Sequence, residues 1–229
     1  MKLSVIMPVH NEEDTIDLII PLVRGVDLGE HSLELVVVDD GSTDGTTEKL
    51  RAYEGEPDVV VLHHQRNRGK GAAIRTGLDH VTGDLVIIQD ADMEYDPNDF
   101  PRLIEPVVQG RADVVYGSRF RGSVEKMAFP NLVANKILSW TATILFGKKI
   151  TDEATCYKVF KTELLRSYRL TCERFEFCPE VTAKTLRGGY RLVEVPISYR
   201  GRTVEAGKKI RWTDGLEAIF TLIKFRILR

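Results

Sequence analysis

From its third residue the chain alternates short apolar runs with segments of helical spacing. LSVIMPV (3–9) reads as a strand, and residues 11–26 then place Ile16, Ile19, Ile20 and Val23 on one helical face, with Pro21 expected to break or kink the helix. LELVVVDD (33–40) is hydrophobic almost without interruption, the pattern of a parallel strand covered on both faces. A GSTDG turn, a helix from about 46 to 53 and the strand VVVLHH (59–64) follow. NRGKGAAIRTGLDHV opens as a glycine loop and becomes a helix, and DLVIIQD (84–90) is the next strand. Such β/α alternation predicts right-handed crossovers and an α/β fold built on an open, mostly parallel sheet with helices on both faces.

Beyond Asp96 the pattern loosens. A short helix at 99–108, a strand in ADVVYGSRF (112–120), a helix over 130–146 and a helix, Gly-Gly stop and strand across 174–202 are expected. These elements make one domain over 1–211. The tail, 212–229, reads as a basic amphipathic helix with Trp212, Leu216, Ile219, Phe220, Ile223 and Ile227 on one face and Lys224, Arg226 and Arg229 available to anionic headgroups. No apolar run reaches the roughly 18 residues of a spanning segment. The chain is therefore expected to be soluble or peripheral to a membrane.

Composition narrows the partners. With 229 residues, a net charge of −2 and 29% charged residues, the chain is an ordinary globular domain and not a general nucleic-acid binder. The average hides a basic C-terminus: from Arg200 onward only Glu205, Asp214 and Glu217 oppose the lysines and arginines, so an anionic partner is expected there. Cys156, Cys172 and Cys178 fit no metal-ligand spacing, which points to a reducing compartment without disulfides.

The chemistry gathers where strands end. VIIQDADMEYDP (86–97) runs from apolar β-formers straight into Asp90, Asp92 and Glu94, which in extended chain leave on one side and repel unless a hard divalent cation with phosphate oxygens sits among them. Two more polar clusters, Pro8-Val9-His10-Asn11-Glu12 and Asp39-Asp40-Gly41-Ser42, follow the first two strands. Ligands of open α/β sheets bind at that edge. His63 and His64 face opposite ways and are no shared metal site. RNRGKGAA lacks the spacing of a phosphate loop and reads as a turn and helix start, although Arg66, Arg68 and Lys70 add positive potential.

The succession PVHNE, VVVDDGSTDGT, N-x-G-K-G, QDAD and GSRF, with TDEATCYKVF (151–160), FEFCPE (175–180) and VEVPISYRGRTVEAGKKIRW (193–212), resembles the inverting family 2 glycosyltransferases of the A-type nucleotide-sugar fold. The resemblance is to their polyprenyl-phosphate and dolichyl-phosphate mannosyl- and glucosyltransferase branch in particular. It implies transfer of a hexose from a nucleotide sugar to a polyprenyl or dolichyl phosphate, with inversion and a divalent cation, Mg²⁺ or Mn²⁺. It assigns Pro8, His10 and Glu12 to base and ribose, with Val38 and Asp40 beside them. Asp90, Asp92 and Glu94 would hold the metal, Arg119 would reach the donor phosphates, and Arg202 with Lys208 or Lys209 would close over donor and acceptor phosphates. It also implies a cytoplasmic protein at the membrane face, bound to the surface or to a membrane partner. A lipid phosphate needs no strong general base, whereas a soluble hydroxyl acceptor, the competing reading, would need one, with Asp152 or Glu180 as candidates.

Overall fold

A computed structural model describes residues 1–202 and 212–227. β1 (Lys2–Val9), β2 (Ser32–Asp39), β3 (Val59–His63) and β4 (Leu85–Ile88) run parallel, with α1 (Ile16–Arg24), α2 (Thr46–Arg51) and α3 (Lys70–His80) between them. After α4 (Phe100–Val108) come β5 (Val114–Glu125), α5 (Phe129–Phe146), β6 (Lys158–Lys161), α6 (Thr162–Ser167), α7 (Phe177–Arg187), β7 (Leu192–Arg200) and α8 (Trp212–Ile227). All seven strands join one sheet in the order β3-β2-β1-β4-β6-β5-β7. Only β6 is antiparallel to its neighbours β4 and β5. The apolar runs behave as expected of strands covered on both sides, since Leu35 to Val38 and Val86 to Ile88 are fully buried.

Three expectations change. Pro21 neither ends nor splits α1, because it lies on the exposed side and forfeits only a bond to a solvent-facing carbonyl. That helix starts at Ile16, not at residue 11, because residues 11–13 are tied to the loop after β2: the Glu12 amide donates to Thr46 Oγ1 and Asn11 Oδ1 accepts from the Thr43 amide. β6 and α6 were not expected at all. Their strand, KVFK, is only four residues long and begins with a buried lysine.

At the far side α8 packs on α5 and α7 through Leu222, Ala142 and Ala183, with Leu145, Phe146 and Phe225 around them. Both packed helices still present apolar residues outward: Phe129, Val133, Ile137, Trp140 and Ile144 on α5, and Leu216, Phe220, Ile223 and Ile227 on α8. No described helix is long and apolar enough to cross a membrane.

Candidate active site

The strand ends lie along one edge, because Val9 is level with Asp39, Asp39 with His63, and Ile6 with Ile88. Strand order reverses between β1 and β4, and a crevice at such a reversal is where open α/β sheets take ligands. Glu12 follows β1; Asp90 and Asp92 follow β4. Arg202, just beyond β7, joins the two sides, since its guanidinium bonds both Glu12 oxygens at 2.9 and 3.0 Å and lies 3.4 Å from Asp92 Oδ2.

The three acids are not gathered by a strand's pleat. β4 ends at Ile88, and Met93 takes a φ of 60°, so a tight turn replaces the expected extended run. Asp92 Oδ1 accepts the Glu94 amide at 3.2 Å inside that turn. Glu94 points elsewhere: its oxygens accept Tyr199 Oη and the Arg202 amide, both at 2.7 Å, and its carbonyl accepts the Arg200 amide. Glu94 thus clasps the end of β7 to the turn. Among the described residues no three His, Cys, Asp or Glu side chains are grouped as around a metal ion, and of the three expected acids Glu94 turns its oxygens to Tyr199 and the Arg202 amide while Asp90 and Asp92 stay at the crevice.

Those two differ in their surroundings. Asp90 Oδ1 lies 2.5 Å from the Lys70 ammonium, and although burial opposes charge on Lys70, Asp90 outweighs it and holds the lysine well above its ordinary range. Asp92 is pushed up to about 7, by burial first and by the Asp90 and Glu94 charges next, with Arg202 pulling the other way. A carboxylate so raised is short of positive charge.

Asp40 organises the loop before α3: Oδ1 accepts His64 Nδ1 at 2.6 Å and the Arg68 amide, and Oδ2 accepts the Gly69 amide at 2.7 Å. Gly41 is required beside it, for its φ is +67° and a Cβ would lie 2.4 Å from the Arg66 backbone. A cavity of about 620 Å³ opens there, lined by His10, Gly41, Ser42, His63, Arg66 and Asn67 among others. Pro8 stands level with Val38 in the sheet. The Val38 side chain is fully buried and packs beneath α3 near Gly77, so it does not face the crevice as expected.

Arg119 departs most from expectation. It is 5% exposed, and its Nε and Nη2 each donate to Asp152 at 2.7 Å. Burial opposes its charge, and Asp152 more than restores it. The expected reach to donor phosphates is thus replaced by a buried ion pair beneath Tyr199, whose ring centroid is 5.0 Å away. Asp152 is spent in that pair. Glu180 is buried too, accepting the Thr171 and Cys172 amides and Lys184. Neither candidate base is free to take a proton from a substrate. Lys208 and Lys209 lie outside the described residues.

The model of the glycosyl transferase family 2 matches residues 4–169, most of the chain and all of the crevice except Arg202. The chain belongs to that family. Dolichol-phosphate mannosyltransferase of Pyrococcus furiosus is 30% identical over 98% of this chain and 64% of its own length. Undecaprenyl-phosphate 4-deoxy-4-formamido-L-arabinose transferase of Klebsiella pneumoniae is 33% identical over 88% of this chain and 60% of its own. The chain thus spans 60–64% of these family 2 relatives. Glucosyl-3-phosphoglycerate synthase from Mycobacterium tuberculosis, solved with Mn²⁺, uridine diphosphate and phosphoglyceric acid, superposes with a TM-score of 0.73 at 23% identity, covering 100% of this chain and 79% of that one. The fold is the A-type nucleotide-sugar fold.

The family 2 crevice suits a hard divalent cation. Asp90 and Asp92 bring two carboxylates to it, and Mg²⁺ is commonly held by one or two carboxylates with substrate phosphates filling the shell.

Proposed function

We propose that this chain transfers a hexose from a nucleoside-diphosphate sugar, of the GDP-mannose or UDP-glucose type, to a polyprenyl or dolichyl phosphate with inversion. The observation that carries this reading is the pairing of Asp90 and Asp92 across the β1/β4 crevice from Glu12, with Arg202 between them. Residues 1–211 form the catalytic domain and 212–229 an appended helix. Pro8, His10 and Glu12 receive base and ribose beside the loop that Asp40 shapes. A divalent cation, Mg²⁺ or Mn²⁺, held by Asp90 and Asp92 would stabilise the negative charge that develops on the leaving diphosphate.

A lipid phosphate oxygen attacks the anomeric carbon as the bond from that carbon to the diphosphate breaks, and the nucleoside diphosphate leaves with the electron pair. The acceptor is already an anion, so the reaction needs cations to hold it more than a base. Arg202 serves here, with Lys208 or Lys209 beyond it. The commitment of Asp152 and Glu180 to buried partners speaks against a hydroxyl acceptor. Arg119 acts from behind, fixing Asp152 and the Tyr199 wall.

The outward apolar residues of α5 and α8 support a protein peripheral to the cytoplasmic membrane face, where its acceptor resides, through the lipid surface itself or a membrane partner. Contiguous apolar surface of this kind marks a protein or membrane contact. Trp140→Glu with Phe220→Glu is expected to reduce sedimentation with anionic liposomes and leave the melting temperature unchanged. An unfolded double variant would assign these faces to the core.

The decisive assay incubates the protein with polyprenyl phosphate, Mn²⁺ and a panel of radiolabelled GDP- and UDP-sugars. Label from one donor should enter the organic phase with release of nucleoside diphosphate. Label that stays water-soluble with every donor would overturn the lipid acceptor, and release of pyrophosphate would indicate nucleotidyl transfer.

A further inference from the structure

We propose that Lys70 is a built-in counter-ion of Asp90, which a divalent cation must displace before Asp90 can become its ligand. This rests on the reading of Asp90 and Asp92 as metal ligands. The geometry is specific. Lys70 Nζ lies 2.5 Å from Asp90 Oδ1, while the only other ion pair of the two aspartates among the described residues is the 3.4 Å approach of Arg202 to Asp92. Arg202 already spends two N–H groups on Glu12. One aspartate is therefore closely neutralised and the other is not.

Lys70 is held at the root by its backbone, while its ammonium is held by Asp90 and, at 3.7 Å, by Cys156 Sγ. It is the first residue of α3, and the residues around it are fixed: the Gly69 amide donates to Asp40, and the Gly71 and Ala72 amides donate to the Arg174 and Glu173 carbonyls. Gly69, with a φ of +97°, could not carry a Cβ, which would lie 2.3 Å from the Glu173 carbonyl oxygen. Only the four-carbon side chain can swing. A metal ion binds carboxylate oxygen at about 2.0–2.1 Å, so an ammonium kept on the same oxygen would be left beside a second cation of twice its charge. On that oxygen the two cations exclude one another.

The consequence is a dependence of metal binding on the donor. Without nucleotide, Asp92 offers the first foothold and Asp90 joins only when Lys70 gives way. An arriving diphosphate supplies anionic oxygens that draw both cations, so metal and nucleotide enter together. Lys70 is in this account a positioning residue that sets when the metal site forms.

Mn²⁺ titration followed by electron paramagnetic resonance, on the full chain without nucleotide, separates this role from a structural one. Lys70→Met should bind Mn²⁺ about tenfold more tightly than the parent protein, and Lys70→Arg no more tightly. With saturating GDP or UDP the gain should disappear. Lys70→Gln reads the same quantity if the methionine variant does not fold. If Mn²⁺ binds the parent and its affinity is unchanged or lower in Lys70→Met and Lys70→Gln, Lys70 merely orients Asp90 and the inference is overturned, with the metal site intact. If Mn²⁺ binds no form even with nucleotide, the metal reading falls and takes this inference with it.

Discussion

Glu34, at the N-terminal end of the strands, and Asp92, beyond their C-terminal end, are both carboxylates largely withdrawn from water, and their surroundings treat them oppositely. Glu34 accepts from Ser4 Oγ, the Thr82 amide and hydroxyl and the Gly83 amide, and pairs with Lys2 at 2.6 Å. Burial alone would raise its pKa, yet Lys2, Ser4 and Thr82 together hold it near about 2. Asp92 has one amide and a guanidinium shared with Glu12, and rises to about 7. The first end of the sheet closes its charge account within the chain. The second is left waiting for charge from outside, as preorganised sites are.

That contrast can be broken at either end. The largest effect is expected at Asp92. Asp92→Asn should lower turnover by about 10³-fold, the scale of losing a principal electrostatic contact, while raising the unfolding free energy of the ligand-free protein by about 1 kcal/mol. Parallel kinetics and denaturant titration read both. A variant that loses activity and stability together would place Asp92 among structural residues.

Arg202→Ala comes next. Removing the group that joins Glu12 to Asp92 should cost about 2–5 kcal/mol in kcat/KM for a lipid phosphate, because a desolvated anion loses its partner. Equal loss with an uncharged soluble acceptor would confine Arg202 to the donor.

At the opposite end, Glu34→Gln should cost about 2–3 kcal/mol of stability and leave kcat unchanged, since a half-buried lysine partner and four donors are left short of charge. The sign with pH follows from the lowered pKa. Ionised Glu34 stabilises the fold fully above its unfolded value of 4.5 and loses that contribution as the pH falls toward about 2. The gap between parent and Glu34→Gln should therefore narrow across that window in acid titrations monitored by circular dichroism.

The smallest effect belongs to Glu94→Gln. An amide oxygen can still accept from Tyr199 or the Arg202 amide, so turnover should change by about threefold or less, on the scale of one weakened neutral contact. Loss as deep as in Asp92→Asn would return Glu94 to the metal.

The sheet was legible because its strands are nearly pure apolar runs, and the edge was legible because the first, second and fourth runs lead into acids, Asn or Gly. What escaped was whatever depends on distant partners. Lys158 made β6 look like loop, since nothing local reveals that its ammonium donates to the Glu153 and Thr155 carbonyls inside the core. Arg119 was readable as a phosphate ligand until Asp152, 33 residues on, proved to hold it. Glu12 and Arg202 are 190 residues apart, and no spacing rule connects them. The carboxylates themselves could be found from sequence; which of them are already satisfied could not.

Whether the C-terminal edge truly lacks charge that substrate and metal supply is tested most directly by thermal unfolding of the full chain with the cognate nucleotide sugar, Mn²⁺, or both. Both together should raise the melting temperature by several degrees, as ligand in large excess over its Kd adds about 2.7 kcal/mol at a hundredfold excess, with little shift from either alone and none in Asp92→Asn. The same shift in Asp92→Asn, or a full shift without any divalent cation, would contradict the account.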